Sequence, residues 1–345
     1  MSVRSALKQR WFLTGLFVLI PAGLLIGRLA PAAQLQHTVS FLPARAVTAI
    51  VLFLMSFSLN TSALASSLRR PGPVLWASLV NFGLIPLATI GLMSLQTIRD
   101  YQIGLMIAAS VPCTMASCSV WTRKAGGNDA VSLLVTMLTN GVCFVITPFW
   151  MIVATRINVD LGFDAMVVRL AQAVLIPSLI GQLLRLSKPA AVFATANRTQ
   201  FGVIAQGLIL VMVFAASCRA GIRLQQDEAI PGLGATLLVL STCIALHLSA
   251  MFVGVVGARM FGVSLADQKA IAFASSQKTL PIGVLLAETF SRAAGVPFVL
   301  FPMLMYHASQ LFIDTAIADR YARNSESLSN GTTADEDAVK TGENG

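Results

Sequence analysis

The chain has 345 residues, of which 56% are apolar and only 11% are charged, and its formal net charge is +9. This composition is that of a membrane protein and excludes an ordinary soluble globular domain. The basic residues are scattered over short loops and are not interleaved with aromatic residues, so the positive charge predicts contact with anionic lipid and no binding of nucleic acid.

Ten apolar stretches follow one another along the chain, each about long enough to cross a hydrocarbon core, which takes roughly 20 helical residues. Seven contain no charged residue, and three carry between one and three charges inside or near an end. In chain order they are 11–30, 46–68, 71–98, 101–122, 130–155, 166–187, 199–218, 229–258, 268–288 and 293–313. We predict an all-α polytopic membrane protein with ten transmembrane helices.

An even number of spans places both termini on the same side of the membrane. The segments on that side carry nearly twice as many Lys and Arg residues as the segments on the opposite side. By the positive-inside rule we predict a multi-pass protein of the plasma membrane, the inner membrane of the cell, with both termini cytoplasmic.

The third, fourth and fifth spans carry isolated polar groups. Asn81 lies in the third span, and in the fourth Pro112 is followed closely by three hydroxyl residues, Thr114, Ser117 and Ser119. A bilayer offers no water to backbone groups that a proline frees, so a broken polar helix is tolerated only where it lines a cavity or is buried in protein. We predict a binding site at the break, although prolines are also common in ordinary membrane helices.

Polar residues recur at intervals of three and four along the fifth span, which aligns them on one helical face. They are Ser132, Thr136, Thr139 and Asn140. Hydroxyl and amide oxygens are suitable ligands for a small cation. The alternative is that this face only packs against another helix.

The ninth span repeats the pattern of the fourth, because Pro281 follows a run of polar residues. That run is Ser275, Ser276, Gln277, Lys278 and Thr279. A lysine at the centre of a span costs roughly 2.5 to 3.5 kcal/mol on insertion scales, and such a charge indicates a functional site. The alternatives are a structural ion pair or a neutral amine, and Asp314 is the nearest acidic candidate by type.

Two histidines lie in the last three spans. His247 stands alone in an apolar stretch, which favours a packing role, whereas His307 and Gln310 are three residues apart and share a helical face. We predict that the latter pair bounds a space for a solute.

The fourth and ninth spans hold the same ordinal position in two halves of five spans each. A five-span repeat emerges on the opposite side of the membrane, so the second copy runs inverted. Inverted repeats with broken helices are typical of secondary transporters. We predict a transporter domain at 1–323, with repeat one at about 11–156 and repeat two at about 166–319, and a disordered cytoplasmic tail at 324–345.

Sequence motifs for hydrolysis are not visible, and the five cysteines do not have metal-ligand spacing. We therefore predict no enzyme activity, no metal centre and no organic cofactor. A passive channel is a further alternative, but channels need a continuous polar pore, whereas polarity here is concentrated at two breaks. A membrane regulator of ion homeostasis without transport of its own also stays open.

Several segments resemble the bile acid:sodium symporter family, and most closely its sodium/bile acid cotransporter 7 branch and bacterial relatives. They are FSLN at 57–60, AGGNDA at 125–130, VITP at 145–148, IPSLIGQLLR at 176–185, SSQKTL at 275–280 and YHASQ at 306–310. The resemblance runs from the first span to the tenth.

The resemblance implies a panel domain of spans 1, 2, 6 and 7 and a core domain of spans 3 to 5 and 8 to 10, in which helices 4 and 9 are broken and cross. It also implies an organic anion as substrate and sodium, the candidate coupling ion, beside the crossing. Transferred by position, Ser117 and Ser119 with Thr136 and Asn140 supply oxygens, and Asn81 replaces a third-helix Gln.

One departure from the family pattern concerns charge. Sodium-coupled members carry a Glu in the ninth helix near the crossing, where this chain has Lys278. We hypothesise that this ammonium replaces at least one sodium ion, so that transport is sodium-independent or linked to protons.

Overall fold

A computed structural model describes residues 11–41, 43–60, 71–115, 117–155, 162–226 and 231–342 of the chain. All regular secondary structure within these ranges is helical. The end of the second predicted span, 61–68, lies outside the described residues. The helices are α1 Trp11–Leu29, α2 Ala32–Ser40, α3 Ala44–Ser58, α4 Gly72–Met93, α5 Arg99–Ser110, α6 Cys118–Lys124, α7 Asp129–Thr155, α8 Phe163–Leu184, α9 Lys188–Ala196, α10 Arg198–Arg223, α11 Leu233–Met260, α12 Leu265–Ser276, α13 Leu280–Ala294 and α14 Phe301–Gly342.

Seven stretches of helix in the described residues are long and apolar enough to cross a membrane. They comprise α2 with α3, α4, α7, α8, α10, α11, and α12 with α13. The most apolar part of α12 with α13 is entirely buried in the protein, whereas the corresponding parts of the other six are between 22% and 50% buried. The ninth predicted span is therefore enclosed by other helices instead of facing lipid.

The helices pack in two groups. In one group α10 packs against α1 and α3, and α3 also packs against α8. In the other group α11 packs against α12 and α14, and α5 packs against α4, α7 and α14. Gly27 and Gly221 let α1 and α10 approach so closely that a Cβ on either glycine would overlap backbone atoms of the other helix. Such close approach is typical of small residues in membrane helix pairs.

Two helices are interrupted by short non-helical segments, which we name the first break (111–115 and 117) and the second break (277–279). Val111 has φ −70° and ψ 153°, and Gln277 has φ −73° and ψ 142°. Pro112 follows Val111 directly, and Pro281 lies in the first turn of α13, where its missing N–H is not needed. The polar segments that contain the two prolines are therefore breaks in the chain's helices.

The last helix differs from the sequence prediction at both ends. The tenth predicted span begins at residue 293, but α13 extends to Ala294 and is ended by Gly295 in the left-handed conformation, with φ 66°. The α14 helix begins at Phe301 and continues to Gly342, so it includes most of the tail for which the sequence predicts disorder. A helix that is already nucleated can extend into a polar sequence without a new nucleation cost.

Candidate functional site

The two breaks lie against each other. The N–H of Thr279 in the second break donates to the carbonyl oxygen of Pro112 in the first, at 2.9 Å. Extended segments leave backbone groups that their own helices cannot satisfy. The contact satisfies one such group on each side and fixes where the two breaks meet.

Lys278 fills the space between the two breaks. Its side chain is completely buried, and its Nζ donates to the carbonyl oxygens of Ala109 at 2.6 Å and Val111 at 3.1 Å. Two further oxygens belong to Asn81, the carbonyl at 2.7 Å and Oδ1 at 3.0 Å. The ring centroid of Phe82 is 5.7 Å from Nζ, within range of a cation–π interaction. Acceptors on several sides suit an ammonium group, which can only donate.

Asn81 connects this cluster to the end of α12. It lies in a π-helical turn of α4, Val80–Leu84, a feature that often occurs at functional positions. Its Nδ2 lies 3.0 Å from the carbonyl oxygens of Ala274 and Gln277 and 3.2 Å from that of Ser275. One amide group therefore caps the interrupted helix and also presents oxygen to Lys278.

Two side chains of α14 hold the peptide of Lys278 from the other side. Gln310 accepts from its N–H through Oε1 at 2.9 Å and donates through Nε2 to its carbonyl oxygen at 3.1 Å. The Nδ1 of His307 lies 3.2 Å from the same oxygen. The sequence predicts that this pair bounds a space for a solute, but both side chains instead contact the break, because its extended backbone needs partners from outside.

The polar face of α7 contacts the first break. Asn140 donates from Nδ2 to the carbonyl oxygen of Cys113 at 2.8 Å, and Thr136 donates to the Cys113 sulfur at 3.6 Å. The Oδ1 of Asn140 is buried and has no hydrogen-bond partner in the described part of the chain. Ser132 does not reach the break, since its hydroxyl shares a 2.6 Å hydrogen bond with Thr122 of α6.

The hydroxyl groups of the first break point in different directions. Ser117 donates to Oε1 of Gln277 at 3.0 Å, so it links the two breaks through side chains. Ser119 instead accepts from the guanidinium of Arg123 at 2.8 Å, and Thr114 is buried within the break.

The hydroxyl groups of the two serines before the second break contact carbonyl oxygens of α11 and α12. Ser275 lies 3.2 Å from the carbonyl oxygen of Ala250, and Ser276 donates to the carbonyl oxygen of Ala272 at 3.0 Å. Thr279 is buried and contributes its backbone N–H to the contact with the first break. The structure thus brings Lys278, Gln277 and Thr279 to the crossing, whereas the hydroxyls of the two serines are turned away from it.

Sequence reasoning missed a buried charge pair next to the second break. Asp314 does not partner Lys278. Its Oδ1 lies 3.0 Å from Nε2 of His247, and its Oδ2 accepts from Gln277 at 2.6 Å. All of these side chains are completely buried. His247, which stands alone in an apolar stretch of sequence, therefore has a carboxyl partner. The signal in the sequence was one isolated polar residue in the eighth predicted span and one directly after the tenth.

Two cavities lie at opposite ends of α3. One, of about 680 Å³, is lined by the start of α3, by α8 and by the end of α13. The other, of about 180 Å³, is lined by the end of α3, the start of α10, and Met115 and Ser119 of the first break and α6. Both cavities therefore lie where the first group of helices faces the second.

Three arginines, Arg45, Arg169 and Arg292, line the larger cavity. Its one carboxylate belongs to Glu288, whose Oε1 lies 2.6 Å from Arg292 and 3.2 Å from Arg219. Arg45 donates to the neutral side chain of Gln172 at 3.3 Å. Within the described residues neither Arg45 nor Arg169 forms an ion pair with a carboxylate, and the described lining has three guanidinium groups and one carboxylate.

Comparison with known protein families agrees with this architecture. The pattern of the SBF-like CPA transporter family matches residues 10–323, which is nearly the whole chain. This chain belongs to that family, the bile acid:sodium symporter type. The resemblance found in the sequence is confirmed, and the protein is a member of a family of membrane transporters.

Several known proteins resemble the chain over 70% or more of its length. Sodium/bile acid cotransporter 7 of Mus musculus is 23% identical and covers 90% of this chain and 92% of its own. The uncharacterized protein PA2026 of Pseudomonas aeruginosa is 26% identical over 71% of this chain and 72% of its own. The probable sodium/metabolite cotransporter BASS4 of Arabidopsis thaliana is 30% identical over 70% of this chain and 56% of its own.

Proposed function

We propose that this protein is a secondary active transporter that moves an organic anion or a similar small solute across the membrane by alternating access. The observation that carries the proposal is the contact between two broken helices at a buried polar centre. In secondary transporters with inverted repeats, substrate and coupling ions bind near the bilayer midplane where such helices meet. The two breaks also hold equivalent positions in the proposed halves, 11–156 and 166–319.

Lys278 takes the place of at least one coupling cation. In transporters with broken helices, unwound backbone carbonyls and the C-terminal ends of half-helices coordinate the cation. The Nζ of Lys278 has such a set of partners, because Ala109 lies in the last turn of α5 and Val111 follows it. A covalently attached ammonium therefore supplies the positive charge that a family member with sodium coupling obtains from the ion.

A second cation position remains beside the first break. The Oδ1 of Asn140, which has no hydrogen-bond partner among the described residues, supports it, together with the nearby hydroxyl of Thr136. Sodium is the candidate ion there, and we propose neither an organic cofactor nor a metal centre. The residues proposed for the cation or substrate site at the crossing are Asn81, Thr114, Ser117, Thr136, Asn140, Gln277, Lys278, Thr279, His307 and Gln310, and Ser119, Ser132, Ser275 and Ser276 surround them.

The moving parts are a panel domain and a core domain within a ten-helix, inverted-repeat fold. We assign α1, α3, α8 and α10 to the panel and the helices around the crossing to the core, which follows the packing of the two groups. The α3 helix has 15 residues and is about 22 Å long, so the two cavities at its ends open toward opposite sides of the membrane. Movement of the core against the panel would close one cavity as the other opens.

The larger cavity supports an anion as the solute. Its guanidinium groups match carboxylate or sulfate, and its apolar wall, which includes Met166 and Leu285, suits an amphipathic body. The names of the relatives from Mus musculus and Arabidopsis thaliana, a bile acid and a metabolite cotransporter, point to the same class of solute. We place the protein in the plasma membrane with this cavity on the side opposite the termini, since the positive-inside rule puts both termini in the cytoplasm.

The runner-up functions are a sodium-independent or proton-linked carrier and a regulator of ion homeostasis without bile-acid-type transport. Uptake of taurocholate, an amphipathic organic anion, into liposomes that contain the purified protein separates them. We expect saturable uptake with counterflow, without a requirement for a sodium gradient. Uptake that requires a sodium gradient and is unchanged in Lys278→Ala would contradict the role of the lysine, and non-saturable flux would indicate a channel.

A further inference from the structure

A completely buried pair of titratable side chains lies beside the crossing. His247 of α11 and Asp314 of α14 are both inaccessible to solvent, and Nε2 of the ring lies 3.0 Å from Oδ1 of the carboxylate. Ionisable residues inside a membrane are costly, and they commonly mark ion pathways and proton relays. The proposed cation role of Lys278 leaves this pair unused.

The surroundings of His247 can accept a second ring proton. One ring nitrogen faces the carboxylate, and the other, Nδ1, lies 3.4 Å from the carbonyl oxygen of Ser276. Both of these oxygens can act as acceptors, so a neutral imidazole, with one N–H, leaves one of the two contacts without a proton. When both nitrogens carry a proton, each ring nitrogen has an acceptor.

The pair is connected to both breaks. Ser276 is the last residue of α12, and its carbonyl oxygen also accepts from the hydroxyl of Tyr306 at 2.7 Å. The other carboxylate oxygen, Oδ2 of Asp314, holds Gln277, whose Oε1 accepts from Ser117 of the first break. A proton at this pair therefore changes hydrogen bonds that hold the end of α12 and the link between the breaks.

Other titratable groups face the pair from the neighbouring elements. They are Tyr306 on α14, whose ring centroid lies 5.8 Å from that of His247, and Cys118 at the start of α6. Within the described residues no ion pair joins Lys278 to the carboxylate. One proton added to the pair raises the charge of the buried core by one unit.

We propose that the His247–Asp314 pair is a proton-binding site that couples an inward proton to the inward movement of one anion. The charge of the added proton offsets the single negative charge of a monocarboxylate or monosulfate solute. Proton and solute then cross the membrane together without a net charge. The coupling rests on the proposed transport function, whereas proton binding by the pair does not.

Infrared difference spectra of the protein in liposomes, acidic minus alkaline, test proton binding directly. We expect the wild type to show an imidazolium or carboxylic acid signal that is absent from both His247→Gln and Asp314→Asn. Asp319→Asn is the matched control, because Asp319 is partly exposed and pairs with Lys124 on the protein surface. A signal that is the same in the wild type and both pair variants would overturn the proposal.

Taurocholate uptake by the same liposomes tests the coupling. We expect an inward proton gradient to raise uptake several-fold in the wild type and in Asp319→Asn, and we expect the ratio with and without the gradient to fall to unity in Asp314→Asn. An unchanged ratio in Asp314→Asn would refute coupling at this pair. If the wild type does not transport the probe while the infrared signal behaves as expected, then the transport proposal fails for that solute and the proton site stands.

Discussion

The first and second breaks differ in the groups that they offer to each other. The first break and the end of α5 provide carbonyl oxygens, which accept from Lys278, from the N–H of Thr279 and from Asn140. The second break provides two donors, the ammonium of Lys278 and the backbone N–H of Thr279, and one acceptor, Oε1 of Gln277, which accepts from Ser117. The carbonyl oxygens of the first break are suitable ligands for a cation. In this protein the cationic group is the ammonium of Lys278, which belongs to the second break.

The two breaks also differ in burial. Gln277, Lys278 and Thr279 are almost completely enclosed, whereas Met115 and Ser117 of the first break are partly exposed, and Met115 lines the smaller cavity. We therefore expect the second break to be the more rigid part of the crossing and the first break to be the part that a solute or ion reaches. Four predictions, with five substitutions, test this comparison.

Lys278→Ala is expected to have the largest effect. It leaves four oxygen atoms in a buried space without their donor, and the loss of one partner from a buried charged cluster costs on the order of 4 kcal/mol. Detergent-induced unfolding measures the difference. Lys269→Ala is the control, because its Nζ contacts only the ring of Tyr321 among the interactions described here, a cation–π contact of about 1 kcal/mol. Equal losses for both variants would contradict the central role of Lys278.

Asn81→Ala is expected to have the next largest effect. It removes the cap from three carbonyl oxygens at the end of α12 and one oxygen from Lys278, at a cost of about 2 to 3 kcal/mol. The same unfolding measurement applies. Asn197→Ala, in which an exposed amide loses one local hydrogen bond, should change stability by less than about 0.5 kcal/mol.

Arg45→Gln and Arg169→Gln should weaken anion binding without a comparable loss of stability. Each removes one guanidinium that has no carboxylate partner among the described residues, and we expect the affinity for taurocholate to fall about tenfold, or about 1.4 kcal/mol. Binding measured by thermal shift at several salt concentrations checks this, because ligand binding stabilises the folded state. Arg28→Gln, outside the cavity lining, should bind as the wild type does, and loss of affinity in this control would refute a specific site.

Ser117→Ala should have the smallest effect of the four. It removes one side-chain hydrogen bond between the breaks, to Gln277, which is worth about 1 kcal/mol. Since Ser117 is partly exposed, water can replace the lost partner. Ser94→Ala, at an exposed hydroxyl, is the control for the unfolding measurement. A loss of stability in Ser117→Ala as large as that in Lys278→Ala would contradict the proposal that the second break contributes more to stability than the first.

The sequence predicts the class of fold because composition and apolar span length depend only on local residues. The clustering of hydroxyl and amide residues around Pro112 and Pro281 also predicts two breaks, and the structure places those breaks in contact. The bounds of the last spans were less predictable, since Gly295 ends α13 through its backbone conformation and not through a charge.

The partners of individual polar residues could not be predicted. Whether Asp314 approaches Lys278 or His247 depends on how α11, α12 and α14 are rotated in the packed core, and hydropathy carries no information on rotation. The same applies to His307 and Gln310, which the sequence places on one face while the structure turns that face toward a backbone segment. Ser275 and Ser276 lie beside the second break in sequence, but their hydroxyl groups form hydrogen bonds with carbonyl oxygens of their own helix. The sequence did not predict this orientation.

The most direct test of the central claim is a sodium titration of thermal stability in the wild type and in Lys278→Ala. If the ammonium occupies the place of a cation, sodium should stabilise the wild type, relative to an equal concentration of choline, only through the second cation position beside the first break. The variant retains the oxygen atoms of Ala109, Val111 and Asn81 and should gain a sodium-dependent stabilisation. Strong stabilisation of the wild type by sodium, unchanged in the variant, would contradict the account.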